Sequence, residues 1–207
     1  MLIYVRHGKT SLNQSGGDER LRGWLPVPLA PEGHKQAQKA GMRLAQQLPG
    51  PPNSFVTSDL PRAMQTAAHI SQSIGVQAKP DQNIRDWNTG DLAGEKVTEV
   101  LPKLKDLVHH PDEPAPGGEP LNTYLSRFVP EMKKKVNDPG IHLVVGHARG
   151  SAILEGIASP VGGKGVDIDK KFLLERPQLQ PGGIMIIGKD WNPKIDNLGH
   201  PDQEKLT

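Results

Sequence analysis

Two short apolar runs, Leu2-Ile3-Tyr4-Val5 and Ile141 to Val145, each stop where a glycine adjoins a histidine: Arg6-His7-Gly8 and Gly146-His147. Runs of four or five such residues, bounded by turn-forming ones, read as strands buried on both faces. A strand of that kind needs helices on each side. The intervening chain supplies them. Apolar positions recur at helical spacing from Glu32 to Leu48, with Pro31 in the first turn and Pro49 to Pro52 beyond the end. Phe55-Val56 reads as a short strand, and Pro61 to about Ile74 as a helix closed by Gly75.

Further helices are expected over Glu95–Val108, where Pro102 should kink or split the pattern, over Leu121–Val136, with Pro130 as a second irregularity, and over Ser151–Ala158. Ile184 to Ile187 gives a late strand, and the polar tail from about Asp190 should pack loosely. Strands alternating with helices predict an α/β fold: a three-layer α/β/α sandwich with a mainly parallel central sheet. At 207 residues the expectation is one domain over 1–207.

Composition narrows the function. A formal net charge of +2 gives no reason to expect a nucleic-acid partner. The absence of cysteine rules out disulfides, thiolate metal sites and a cysteine nucleophile. MLIYVRHGKT is too short in its apolar part for a signal-peptide core, and no later stretch is long enough to span a membrane. A cytoplasmic protein without membrane partners is expected. Oligomeric state is not legible.

Three patterns place chemistry just after expected strands, where open α/β sheets gather ligands. They are Arg6-His7-Gly8 with Thr10 and Asn13, Thr57-Ser58-Asp59-Leu60-Pro61-Arg62-Ala63-Met64-Gln65-Thr66, and Val144-Val145-Gly146-His147. Singly, each has a plain reading as a surface ion or a hydrogen-bonded structural histidine. Their joint appearance carries the case.

In that combination the sequence resembles the histidine phosphatase superfamily, also called phosphoglycerate mutase-like. The matching stretches are YVRHGKTSLN at 4–13, LRGWLPVPLAPEGHKQA at 21–37, VTSDLPRAMQTA at 56–67, IRDWNTGDLAG at 84–94, PGGEPL at 116–121 and VVGHARG at 144–150. The resemblance implies a phosphoglycerate mutase-like sandwich and a phosphomonoester hydrolase. His7 would be the nucleophile that becomes phosphorylated, with Arg6, Arg62 and His147 around the phosphoryl oxygens and Asn13 lining the pocket. Guanidiniums suit that task because their forked donors match phosphate oxygens and stay charged. No metal or cofactor is then required. Asp86 falls at the general acid/base position, where most short members carry Glu; Asp91 is the fallback.

Arg22 and Gly23 correspond to a substrate-holding loop. Arg149 stands where glycine is common, and either reaches a second anionic group on the substrate or pairs with an acid; Lys9 is a weaker candidate of the same kind. His34, His69, His109, His110, His142 and His200 show no ligand spacing. The substrate would be a small phosphomonoester, with a phosphoprotein also within the family's range. Two alternatives stay open. One is phosphoglycerate mutase-type transfer, against which the segment from His109 to Gly118 has no arginine and Val97 stands where mutases carry a lysine. The other is a homologue that binds phosphate without turnover.

Overall fold

The computed structural model describes residues 1–13, 17–158, 173 and 178–197. Among these residues, six strands form one sheet: β1 (Leu2–Arg6), β2 (Ser54–Thr57), β3 (Lys79–Pro80), β4 (His142–Gly146), β5 (Ile184–Ile187) and β6 (Pro193–Asp196). Their order is β3-β2-β4-β1-β5-β6. The first four are parallel, β5 runs antiparallel to β1, and β6 antiparallel to β5.

Among the described residues, five α-helices cover the sheet: α1 (Pro31–Gln47), α2 (Pro61–Ile74), α3 (Val97–His109), α4 (Leu121–Asn137) and α5 (Ala148–Ala158). Side chains alternate across each strand, so one strand feeds two cores. Ile3 and Val5 of β1 join Phe55, Leu143, Val145 and Ile184 against Ala40 and Leu44 of α1 and Ala63, Ala67 and Ile70 of α2. Leu2 and Tyr4 face the opposite way, with Val144, Met185 and Ile187, onto α3, α4 and α5. The expected three-layer sandwich follows directly.

Local signals act as the sequence suggests at α1 and α2, which begin at Pro31 and Pro61, and Gly75 ends α2 in the left-handed region at φ 71°. Other expectations shift in detail. Pro102 and Pro130 lie inside α3 and α4, as expected, and neither helix is split. Both are exposed, so the carbonyls they leave unpaired face water. α5 starts at Ala148, three residues before the expected Ser151. The expected loose tail is corrected for 193–196, which form an edge strand on β5 with Asp196 ion-paired to Arg43 of α1 at 3.0 Å. The Gly-rich run 161–166 and the end of the chain from 198 lie outside the described residues.

Candidate active site

The carboxyl ends of β1, β2 and β4 lie side by side, and the hydrogen-bond ladder continues one residue beyond them. His7 N–H donates to the Gly146 carbonyl and Ser58 N–H to the Val145 carbonyl, both at 3.0 Å. The backbones that carry His7 and Ser58 are therefore fixed by the sheet itself.

His7 is buried, and its Nδ1 lies 2.7 Å from the Gly8 carbonyl. A carbonyl only accepts, so the proton is on Nδ1 and Nε2 presents its lone pair. Arg62 Nε donates to that Nε2 at 3.3 Å, which requires the same tautomer. Burial, then the fields of Arg62, Arg22 and Arg6, hold the His7 pKa well below 6.5. Gly8 is required by packing against α1. A Cβ there would lie 2.3 Å from the Gly33 carbonyl, so glycine lets the first turn of α1 press against this loop.

His147 faces His7 with ring centroids 5.2 Å apart at 63°. Its Nε2 lies 2.8 Å from the Ser58 hydroxyl. Burial, followed by Arg62 and His7, depresses its pKa well below 6.5 as well. Among the described residues, His147 Nδ1 and Arg6 Nε are buried nitrogens without a protein partner. Buried polar atoms are nearly always satisfied, so these two point to a partner that is not protein.

Both arginines are anchored. Arg6 donates through NH1 to the Leu179 carbonyl at 2.8 Å. Arg62 donates to the Gly23 carbonyl at 2.8 Å and the Leu25 carbonyl at 3.0 Å. Burial, with Arg22 adding repulsion, brings Arg6 down to about 10, and burial brings Arg62 down to about 10 against the pull of Asp86. Each remains a cation at neutral pH.

The loop residues fall nearby with altered roles. Gly23, at φ 46°, has no room for a Cβ beside Thr89 and serves through its carbonyl on Arg62. Arg22 pairs with Glu19 at 3.3 Å, and Asn13 Nδ2 donates to the same carboxylate while its Oδ1 accepts from Thr10 N–H. Arg149 donates to the Leu173 carbonyl at 2.9 Å and lies 5.2 Å above the Trp87 ring, within the field of Asp86. Lys9 pairs with Glu32 at the surface instead.

Asp86 is 8% exposed, whereas Asp91 is exposed. Its backbone carbonyl accepts from Trp24 Nε1 at 2.7 Å and Arg127 at 2.8 Å, and its carboxylate accepts from Trp87 N–H at 3.0 Å. Arg127 also pairs with Glu119 at 2.6 Å and takes the Asn83 and Arg85 carbonyls. Glu19, Ser58, Trp24 and Arg127 are thus parts of the site that the sequence reading did not single out. Ser58 and Trp24 lie inside the matching stretches; Glu19 acts through a loop carboxylate and Arg127 on loop carbonyls, which leaves no spacing signal. His34 and His69 share a hydrogen bond at 3.0 Å between α1 and α2. Among the described residues no three His, Asp or Glu side chains are grouped to hold a metal ion.

The two buried imidazoles predict a pH dependence of stability. The unfolded chain protonates both below about pH 6.5, while the native chain keeps them neutral. The unfolded state then binds more protons, so stability falls as the pH drops below that value. The slope should be about 1.4 kcal/mol per pH unit for each imidazole until the native group titrates. Urea unfolding between pH 7 and 5 should show this, with a shallower slope in His147→Ala; equal slopes would contradict neutral burial of His147.

Comparisons with known proteins identify the family. The model of the histidine phosphatase superfamily (branch 1) matches residues 2–157. A 2,3-bisphosphoglycerate-dependent phosphoglycerate mutase of Mesorhizobium japonicum is 30% identical over 158 residues, covering 70% of this chain and 75% of that protein. The enzyme of the same description from Methylobacterium sp. is 31% identical over 144 residues, covering 66% and 67%. Among solved structures, phosphoglycerate mutase from Thermus thermophilus aligns at TM-score 0.67 and 26% identity, covering 93% of this chain and 95% of that one. A mycobacterial glucosyl-3-phosphoglycerate phosphatase in complex with VO3 aligns at TM-score 0.70 over 94% and 96%, with 22% identity, a likeness of fold. With the paired histidines and arginines meeting at the ends of β1, β2 and β4, the chain belongs to branch 1 of the histidine phosphatase superfamily.

Proposed function

We propose that the chain is a metal-independent phosphomonoester hydrolase that passes the phosphoryl group through a phosphohistidine on His7. The observation that carries this reading is the His7 tautomer: Nδ1 is spent on the Gly8 carbonyl, so Nε2 has its lone pair among buried cations. In the first step Nε2 attacks phosphorus as the ester P–O bond breaks. Charge spread over the transferring oxygens is met by Arg62, Arg6 and His147 Nδ1, donors already in place before reaction. Asp86, as general acid, gives a proton to the leaving oxygen. In the second step the Asp86 carboxylate takes a proton from water as that water attacks phosphorus, the P–N bond breaks, and phosphate leaves. Aspartate is one methylene shorter than the usual glutamate, and the grip of Trp24 and Arg127 on its backbone supports a compensating position.

Asp86→Asn should therefore slow alkyl phosphates, whose leaving groups need a proton, far more than p-nitrophenyl phosphate. Equal losses on both would exclude Asp86 as the proton donor. Binding of phosphomonoesters with no acid-labile phosphoenzyme in rapid quench would instead support a non-catalytic homologue.

A second reading, mutase-type transfer to another hydroxyl, is favoured by the descriptions of the curated relatives. Against it, the segment 109–118 contributes no arginine, and Lys96, beside Val97, is engaged with Asp18 at the surface at 2.8 Å. Free phosphate release is expected to outrun phosphoglycerate isomerisation, and the reverse would select the mutase. The substrate is expected to be a small phosphomonoester handled in the cytoplasm.

A further inference from the structure

Tyr4 lies on β1, three residues before His7, and its side chain is fully buried on the α4/α5 side of the sheet. Its hydroxyl accepts from the His147 N–H at 2.7 Å and donates to the His147 carbonyl at 2.9 Å. One phenol therefore satisfies both backbone polar groups of a single residue, 143 positions away. That residue is the cap of α5: its carbonyl accepts the Ser151 N–H at 3.1 Å, and Ala148 is the first helical residue. An N-cap usually binds its helix through a short polar side chain. The His147 imidazole is instead turned toward Ser58 and His7, so its own N–H needs another partner.

The fold reserves space for that partner. A Cβ at Gly146 would lie 2.1 Å from the Tyr4 oxygen, and one at Gly150 would lie 2.3 Å away. Two glycines, one closing β4 and one in the first turn of α5, leave room for the phenol oxygen, with Phe128 Cζ next nearest at Gly150, 2.8 Å from where a Cβ would stand. The Tyr4 ring is steadied edge-on by Phe128, 6.3 Å away at 85°. Burial raises the Tyr4 pKa, so the group stays a neutral phenol able to donate and accept.

We propose that Tyr4 is a positioning residue for phosphoryl transfer, its hydroxyl fixing the His147 backbone so that the unpartnered Nδ1 stays beside His7. This rests on the phosphohistidine reading above. Backbone held by Tyr4 and ring held by Ser58 leave His147 with one ring nitrogen to offer and one direction in which to offer it. A displacement of about 1 Å at such a group is enough to cost up to about 100-fold in rate.

Tyr4→Phe keeps the ring and removes only the clamp. Turnover of p-nitrophenyl phosphate should fall about 10- to 100-fold in kcat with little change in KM. The same substitution in a His147→Ala background should cost less than about 3-fold, because the group being positioned is gone. Leu44→Ala, a core truncation on the opposite face, serves as the control for lost stability and should leave kcat unchanged well below its unfolding midpoint. Gly150→Ala is an independent variant that keeps Tyr4 but intrudes on its hydroxyl; it should lower kcat, and that loss too should vanish without His147. Full kcat in Gly150→Ala or Tyr4→Phe, or an equal loss with and without His147, would overturn the proposal. The wild-type phosphoenzyme is measured in the same experiment; its absence would instead refute the reaction assigned to the site.

Discussion

His7→Ala will abolish the phosphoenzyme and lower kcat/KM for p-nitrophenyl phosphate by a factor on the order of 10⁴ or more. The expectation follows from what the side chain supplies. Nε2 is the atom on which the phosphoryl group rests, and His147 offers no substitute because its Nε2 is committed to Ser58. The ring also needs no activation by a separate base. Burial and three neighbouring arginines already keep it neutral, so the nucleophile is available through the mildly acidic range. Rapid quench with a ³²P-labelled ester checks both parts. An alanine variant that still forms an acid-labile phosphoenzyme would move the nucleophile elsewhere.

Arg62→Ala should cost about 10³-fold in kcat/KM, through both a lower kcat and a higher KM. This guanidinium joins three parts of the site. It donates to His7 Nε2, and through its other nitrogens it holds the Gly23 and Leu25 carbonyls. Between those carbonyls lies Trp24, whose indole N–H holds the Asp86 backbone. Alanine would remove a cation from beside phosphorus and also free the loop that leads to the acid. Arg62→Lys should recover less than about tenfold, since an ammonium cannot direct three separate donors along a fixed fork. Lysine restoring most of the activity would mean that charge alone matters at this position. Steady-state kinetics of both variants on one substrate decides.

What was legible in the sequence follows from how local each signal is. β1, β4 and β5 are continuous apolar runs, and α1 and α2 carry proline at their starts, so neighbours along the chain sufficed. β3 has two exposed residues that pair only with Val56 and Thr57, and β6 is polar and sits at the edge; both exist because a partner strand offers its ladder. α5 began earlier than expected because Gly150 reads as a loop residue, while its physical reason is a tyrosine oxygen from the first strand. The site divides similarly. His7, Arg6, Arg62 and His147 lie in short motifs at strand or helix ends, and the fold does gather them. Arg127 reaches the Asp86 carbonyl from 41 residues away. Glu19, which meets Arg22 and Asn13, sits in a loop with no periodicity. Contacts to backbone carbonyls depend on the path of the chain, and side-chain identity does not encode them.

The most direct measurement is a crystal structure of the protein soaked with orthovanadate. Vanadium should sit within covalent reach of His7 Nε2, its equatorial oxygens taking donors from Arg6, Arg62 and the Nδ1 of His147, with Asp86 at the apical oxygen opposite. Vanadate bound away from His7, or the His7 ring turned so that Nδ1 faces the anion, would contradict the account.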